Sequence, residues 1–336
     1  MIRTNELLLS NFKTEIDYQE EVNLTSAGII RFQEYAMRWI EDSNQSRLPC
    51  CPPPEKHPYA ELYPINDNYS KFIIGTFPPI SYMTDHFFGV RFCNGKKVSR
   101  PQLPFYHGNR QKLWQYLLSN AEFSNLSSDD RFLRRDQIIS FLNHNRINYV
   151  DIISYCQRME YNADDSNLYN IVLNEQLLDL FSNSQVTDIL LVFNTGSLFT
   201  NRGFKFSRDG RLKPKTFVLD MFIYLLIDFG YSIYIQFQNQ EPIEINNANK
   251  EVLSQYVNII RFDLIINSLR VKVVAGPSPA DGDGTLHESR VCLRYKNIFH
   301  PNQDLSPGEL KKQFKSFVYR TALLDDADLL FQLNND

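Results

Sequence analysis

The chain has 336 residues, of which 43% are hydrophobic and 22% charged, so it holds enough apolar material for a sizeable core. Its formal net charge of −4 excludes a polycation, and any nucleic-acid site must therefore be a local basic patch. The 5 cysteines are odd in number and form no C-x-x-C motif, which argues against a metal site, an iron–sulfur cluster and a disulfide scaffold. We expect a protein of the reducing cytoplasm that uses no cofactor or metal and has no membrane span.

Residues 1–65 are predicted to form an N-terminal appendage. Residues 24–42 have the apolar spacing of a helix. The stretch 48–64 is rich in proline, which fixes φ and lacks a backbone N–H, so an extended linker is expected before a boundary near residue 65. The helix carries no readable motif. It is a candidate for binding a protein partner, for packing on the core or for placing the protein in a complex.

From residue 66 to residue 325 the pattern alternates between strands and helices. Buried strands are predicted at 71–76, 148–153, 187–193 and 271–275, and helices at 110–119, 129–144, 167–182 and 216–229. Such alternation predicts an α/β fold, a three-layer α/β/α sandwich around a mainly parallel central sheet. An insertion at about 231–266 is predicted to add strands, and a capping box starts the final helix at Ser306. Residues 326–336 are predicted to be an acidic tail.

Three predicted strand ends carry candidate site residues, because ligands of an open parallel sheet bind beyond the carboxyl ends of its strands. A glycine-led turn follows the first strand, an aspartate lies near the end of the second, and a Pro-Ser-Pro loop follows the last. Each feature also fits a plain structural role, as a stiff turn, a carboxylate that caps a loop, and a rigid connection. The residues are Gly75, Thr76, Phe77, Pro78, Asp151, Pro277, Ser278 and Pro279.

In combination these segments resemble the uracil-DNA-glycosylase-like superfamily, whose signature motifs are an early G-x-x-P loop and a late P-S-P loop. Residues 105–114 look like the F-Y-G-N-R…F-W segment of its hypoxanthine-type and related branches, and residues 151–166 look like their D-I-I…R…D-S stretch. The resemblance covers about residues 70–325. It implies a monofunctional DNA glycosylase, since no lysine lies in a signature segment. Such an enzyme flips a deaminated or modified base out of DNA, hydrolyses its N-glycosidic bond and leaves an abasic site.

The resemblance implies a role for individual residues. Asn109 would orient the attacking water, His107 is a second candidate donor or base, and Asp151 stands where relatives keep a base-reading residue. The implied base pocket comprises Gly75, Thr76, Phe77, Pro78, Phe105, Tyr106 and Asn194. The implied DNA contacts are Pro277, Ser278, Pro279, Arg158, Arg211, Lys213, Arg290 and Arg294. The two motif loops are expected at neighbouring strand ends, facing each other across a slot for one base.

Other interpretations of these residues stay open. Asn109 follows a glycine and also suits a turn, and the spacing to Trp114 leaves Gln111 as an alternative to it. His107 also suits a surface or core position, and the basic run that holds Arg211 also suits a solvated loop.

The chain departs from the superfamily pattern at two places. Thr76 and Phe77 fill the first motif where well-known branches carry Asp, Asn or Glu, and Gly276 stands where most carry His. These departures favour an alternative, a catalytically weak or inactive member that serves as a DNA-recognition module. A second alternative is a hydrolase of free nucleosides or nucleotides, which the acidic net charge favours.

Overall fold

A computed structural model describes the central and C-terminal parts of the chain. The predicted helix at 24–42 lies outside the described residues. Those described are 55–57, 59–60, 62–78, 91–93, 96–98, 103, 105–106, 112–158, 168–182, 186–191, 218–246, 260–279 and 285–334. Among them, no helix combines the length and apolar character needed to cross a bilayer.

The strands and helices follow one another along most of the described chain. The strands are β1 (Glu55–Lys56), β2 (Lys71–Gly75), β3 (Arg91–Cys93), β4 (Lys96–Val98), β5 (Ile147–Asp151), β6 (Ile153–Arg158), β7 (Leu168–Leu173), β8 (Asp188–Leu191), β9 (Ile233–Gln236), β10 (Ile243–Ile245), β11 (Arg261–Ile266) and β12 (Leu269–Ala275). The helices are α1 (Lys112–Leu117), α2 (Asn120–Ser124), α3 (Arg131–His144), α4 (Gln176–Ser182), α5 (Val218–Asp228), α6 (Arg290–Phe299) and α7 (Pro307–Leu323). Two 3-10 helices span Leu286–Glu288 and Ala327–Leu333.

A seven-stranded sheet with the order β10-β9-β11-β12-β8-β2-β5 forms the centre of the fold. Its four strands β12, β8, β2 and β5 pair in parallel, and β11, β9 and β10 continue the sheet in antiparallel pairing. The α/β class is thus confirmed. The sheet as a whole is mixed, because the predicted insertion supplies its antiparallel part. A two-residue turn at Asn267 and Ser268, both with positive φ, closes the β11–β12 hairpin.

Helices cover both faces of this sheet. Successive side chains of a strand point to opposite faces, so Phe72 and Ile74 of β2 enter one apolar core while Ile73 between them enters the other. The first core includes residues of α4 and α5, and the second includes residues of α1, α3, α6 and α7. Burial on both faces explains why the central strands are continuous apolar runs.

The predicted helix at 167–182 is wrong in its first half. Residues 168–173 form β7, which pairs antiparallel with β6 in a small sheet of order β1-β6-β7. Asn174 ends the strand, because its backbone N–H donates to Ile152 and its side-chain oxygen accepts from the backbone N–H of Gln176 at the start of α4. Pairing with a distant strand has overridden a local apolar spacing that also suits a helix.

Residues before the predicted boundary near residue 65 contribute to the α/β core. β1 pairs with β6, so the proline-rich stretch contains a strand of the small sheet. Next along the chain, the backbone of Asn66 both donates to and accepts from the side-chain amide of Asn148, at 2.9 and 3.0 Å. These bonds hold the segment against β5, at the edge of the large sheet.

The C-terminal residues 326–334, predicted to be an acidic tail, are folded. The side-chain oxygen of Asn334 accepts the backbone N–H groups of Ile260 and Arg261, at 2.9 and 3.2 Å. Arg261 is buried, and its guanidinium forms ion pairs with Asp263 at 2.7 Å and with Asp328 at 2.6 Å. The acidic residues therefore neutralise cations of the sheet. The final helix α7 starts with the predicted capping box between Ser306 and Glu309.

Candidate active site at the carboxyl ends of the parallel strands

The glycine-led loop and the Pro-Ser-Pro loop leave the sheet at the same level. Ile74 of β2 and Ala275 of β12 are both in register with Leu191 of β8, so Gly75 and Gly276 follow at equivalent positions. One strand, β8, lies between them, whereas neighbouring strand ends were expected. The two loops are therefore two strand spacings apart, which corresponds to about 10 Å.

Backbone hydrogen bonds anchor the loop after β2. The carbonyl of Gly75 accepts the N–H of Ile152 at 2.9 Å, and the carbonyl of Thr76 accepts the N–H of Ile153 at 3.2 Å. Gly75, Thr76, Phe77 and Pro78 are all buried. The loop is therefore tied to the chain that follows β5 and holds its backbone close to Asp151.

The Pro-Ser-Pro loop after β12 is held by the neighbouring strand and by the last helix. Gly276 donates its N–H to the carbonyl of Leu191 at 2.8 Å. The hydroxyl of Tyr319, which is fully buried on α7, donates to the carbonyl of Pro277. Pro277 and Pro279 are buried and Ser278 is half-buried, so the serine is the most accessible of the three loop residues.

Gly276 has little room for the histidine that is typical of the superfamily the sequence resembles. A Cβ at this position would lie 2.9 Å from Leu190 Cδ1 and 3.1 Å from Tyr319 Cε1, closer than ordinary van der Waals contact. The ring that anchors the Pro-Ser-Pro loop thus fills the space that a side chain would need. The glycine is explained by this packing.

Asp151 is a buried carboxylate at the end of β5. Asp151 is 6% exposed, and it pairs in register with Gly75 of β2. A Cβ on residue 75 would overlap Asp151 Oδ1, so the carboxylate lies directly over the glycine backbone. Asp151 Oδ2 lies 2.9 Å from Nε2 of His57. One oxygen is thereby fixed, and the other lies close to the backbone of Gly75.

His57 was not predicted as a site residue, because it lies in the stretch interpreted as a linker. It is 3% exposed, and its backbone N–H donates to the carbonyl of Ser154 at 2.9 Å. Its Nδ1 accepts the backbone N–H groups of Tyr59 and Ala60, both at 3.1 Å. A histidine followed by proline in a linker carries no local signal that it will meet an aspartate 94 residues later.

An aromatic cluster surrounds this pair. The ring of Tyr106 stacks on Tyr149 at 4.4 Å between centroids, and the His57 ring lies 5.2 Å from Tyr106 and 5.4 Å from Phe77. Phe105 packs on Trp114 at 5.7 Å. Burial, followed by the negative charge of Asp151, raises the pKa of Tyr106 well above its usual value, so its phenol stays neutral. A neutral phenol cannot serve as a base.

The predicted stacking surface is closely packed. Phe77, Phe105 and Tyr106 are 5%, 3% and 2% exposed. Phe105 contacts Tyr106 directly, and the ring of His57 lies between Phe77 and Tyr106 and contacts both. Stacking of a base on any of them stays a prediction, and it requires one of these rings to move.

Two predicted DNA-contacting arginines lie on α6. Arg290 begins the helix and is exposed, and Arg294 follows one turn later and is half-buried. Ser289 caps this helix by accepting the backbone N–H of Cys292 at 3.3 Å. Arg158 is the last residue of β6. The remaining candidates lie outside the described residues, namely His107, Asn109, Asn194, Arg211 and Lys213.

Within the described part of the chain, no group of three or more His, Cys, Asp or Glu side chains is arranged to hold a metal ion. No protein-family model matches the chain, and comparisons with curated proteins and with solved structures found no match. Functional inference therefore rests on the residues of this chain.

Proposed function

We propose that the protein is a monofunctional DNA glycosylase of the uracil-DNA-glycosylase-like superfamily, acting on a deaminated or modified base. The proposal rests on the arrangement of three features at one end of the parallel strands. The loop at Gly75, the buried carboxylate of Asp151 and the loop at Ser278 all lie at the carboxyl ends of parallel strands. In open α/β sheets, ligands bind beyond the carboxyl ends of the parallel strands.

The chemistry follows from the position of each group. A base must leave the helical stack before its glycosidic bond can be reached, which costs a few kcal/mol. The Pro-Ser-Pro loop, held by Tyr319, presents the half-buried Ser278 and rigid backbone to a phosphate. Asp151 then meets a polar group of the extruded base or orients a water. Its negative charge also favours the positive charge that develops on the sugar.

A base-panel excision assay tests the proposal. Purified protein is incubated with oligonucleotides that carry uracil, hypoxanthine or xanthine, and abasic sites are cleaved with alkali. We expect strand cleavage for at least one base and a loss of about 100-fold or more in Asp151→Asn and in Asn109→Ala. Asp188→Asn is the matched control, because Asp188 starts β8 at the opposite end of the sheet.

A recognition module without catalysis is the second candidate. The observation that favours it is the absence of an acid from the first motif together with the filled space at Gly276, where a Cβ would contact Leu190 and Tyr319. Binding to modified DNA without cleavage of any base in the panel supports this candidate and contradicts the enzyme. Turnover of free inosine or deoxyuridine, without activity on oligonucleotides, contradicts both.

The salt dependence of binding tests the DNA-contacting cations. In Arg290→Gln with Arg294→Gln, we expect weaker binding and a shallower slope of log affinity against log salt, because fewer counterions are released. Arg211→Glu with Lys213→Glu is expected to act in the same direction. Arg270→Gln is the control, since Arg270 is near the start of β12 and hence far from the candidate site. An unchanged slope in the first two variants contradicts these contacts.

A further inference from the structure

A lysine side chain is buried beside the tyrosine that anchors the Pro-Ser-Pro loop. Lys315 of α7 is 2% exposed, and its Nζ lies 5.6 Å from the ring centroid of Tyr116 on α1. Lysine is rarely buried to this extent, because its ammonium loses hydration in the protein interior. The face of a tyrosine ring attracts such a cation. α7 thus places a positive charge inside the fold, and its effect depends on what lies nearby.

α7 runs antiparallel to the parallel strands. The side chain of Lys71, at the start of β2, donates to the carbonyl of Leu323 at 2.6 Å, so the end of the helix lies at the amino ends of these strands. Tyr319, one turn earlier on the helix, reaches the carbonyl of Pro277 beyond the carboxyl end of β12. The N-terminal part of α7 therefore lies at the end of the sheet where ligands bind.

Lys315 lies closer to that end of the sheet than Tyr319 does. It precedes Tyr319 by one helical turn on the same face of α7, which is about 6 Å along the helix axis. Side chains of a helix lean toward its N-terminus, so the ammonium lies at the level of the Pro-Ser-Pro loop. The rings of Tyr116 and Tyr319, with centroids 6.0 Å apart, join it to the loop anchor. The half-buried Ser278 is the accessible residue of this loop.

A buried cation attracts an anion without touching it. Charges interact more strongly in the protein interior than in water, because the interior has a lower effective dielectric constant and contains no counterions. Lys315 therefore makes the potential at the loop more positive, although the chain as a whole has a net charge of −4. An exposed cation such as Arg290 is screened by salt to a larger extent.

We propose that Lys315 is a positioning residue that supplies the positive charge of an anion subsite at Ser278, and that the anion is a backbone phosphate of DNA. The ammonium stays inside the protein and acts through the loop. This inference rests on the proposed function, for which it names the charge that holds the phosphate.

The subsite and Asp151 lie at opposite ends of the row of parallel strands. The loop follows β12 and Asp151 ends β5, and the order β12-β8-β2-β5 separates them by three strand spacings, about 14 Å. A cation at one end and a carboxylate at the other orient a nucleotide with its phosphate toward the loop. The separation also keeps the cation away from a sugar that gains positive charge during cleavage.

The test combines a neutral replacement of the lysine with a neutral phosphate. Equilibrium binding is measured for oligonucleotides with an abasic-site analogue, in which each nearby phosphate is replaced in turn by an uncharged methylphosphonate. In Lys315→Met we expect about tenfold weaker binding of the unmodified DNA, the size given by unit charges about 10 Å apart at an effective dielectric constant near 20. One methylphosphonate should reduce this difference to about twofold or less, because the lysine then has no charge to attract.

Further variants separate charge from packing. Lys315→Gln should behave like Lys315→Met, whereas Lys315→Arg keeps the charge and is expected to bind within about threefold of the wild type. Lys312→Met is the matched control, because Lys312 is an exposed lysine of the same helix and its loss changes the net charge equally. An equal loss on every methylphosphonate DNA in Lys315→Met would mean that the lysine only packs, and it would overturn the inference. An equally large coupling in Lys312→Met would overturn it as well.

The binding assay requires no base excision, so its outcome is separable from the proposed function. Binding that depends on Lys315 in a protein that excises no base would contradict the glycosylase and support the subsite. Excision together with binding that is independent of Lys315 would overturn the subsite alone. The coupling should also persist as the salt concentration rises, because a buried charge is screened less than an exposed one, and its disappearance would overturn the inference.

Discussion

Gly75 and Asp151 are paired across β2 and β5, and the carboxylate of Asp151 occupies the space that a side chain on residue 75 would need. The same Cβ would also lie 2.9 Å from the hydroxyl of Tyr149. Glycine is required here by this close approach. The observed position of the Asp151 carboxylate therefore depends on residue 75 being glycine.

Gly75→Ala tests this relationship. The added methyl group must push the Asp151 carboxylate away, so we expect the free energy of unfolding to fall by about 1–3 kcal/mol. Excision should fall by more than the loss of folded protein explains, because Oδ1 is displaced. Chemical denaturation and the excision assay measure the two effects. Gly308→Ala is the matched control, since a Cβ there meets nothing within 4 Å. Wild-type stability and activity in Gly75→Ala would contradict the close approach.

A histidine at position 276, typical of the superfamily that the sequence resembles, should not be tolerated. The imidazole of Gly276→His would have to displace Leu190 and Tyr319 from the core, so we expect a loss of about 1–3 kcal/mol or more in the free energy of unfolding. Excision is expected not to rise. Thermal or chemical denaturation and the excision assay check this, and increased activity in a stable variant would show that the site tolerates a donor at this position.

Tyr319→Phe removes the hydroxyl that holds the Pro-Ser-Pro loop and keeps the ring. We expect a loss of about 0.5–1.5 kcal/mol in the free energy of unfolding, because the Pro277 carbonyl loses its donor. A loosened loop should weaken DNA binding more than it slows the chemical step, so KM should rise more than kcat falls. Tyr295→Phe is the control, as its hydroxyl contacts His300 at 2.9 Å on a different helix end.

Asp328 makes part of the stability dependent on pH. Burial alone would raise the pKa of its carboxyl, but hydrogen bonds from Lys272 and Arg261 outweigh this and lower the pKa below its usual value. A carboxyl with a lowered pKa stabilises the fold above the ordinary pKa of about 4, and the contribution is lost as the pH falls through the folded-state pKa. The side chain is 47% exposed, so screening keeps the effect below about 1 kcal/mol.

In Asp328→Asn we therefore expect a shallower loss of stability between about pH 5 and pH 2, measured as the free energy of unfolding in urea. Asp325→Asn, an exposed neighbour, serves as the control. An identical acid dependence in wild type and Asp328→Asn would contradict the contribution of the Arg261 and Lys272 contacts.

The local pattern of residues in the sequence was sufficient to predict much of the fold. The apolar runs at 71–76 and 187–193 predicted the central strands observed at 71–75 and 188–191, because strands buried on both faces are continuously apolar. The capping box at Ser306 predicted the start of α7, because it is formed between residues three apart. The glycine-led turn and the Pro-Ser-Pro loop were found as strand ends, because glycine and proline interrupt strands locally.

Tertiary structure alone decided which of these residues meet. Residues 168–173 became a strand because β6 was available to pair with them, and β8 separates the two motif loops because sheet order depends on how distant strands pack. His57 reaches Asp151 across 94 residues because β1 docks on β6, and no pattern within either segment encodes that contact. The sequence by itself determined the local elements and the candidate loops. The orientation of the Asp151 carboxylate depends on side chains that only folding brings together.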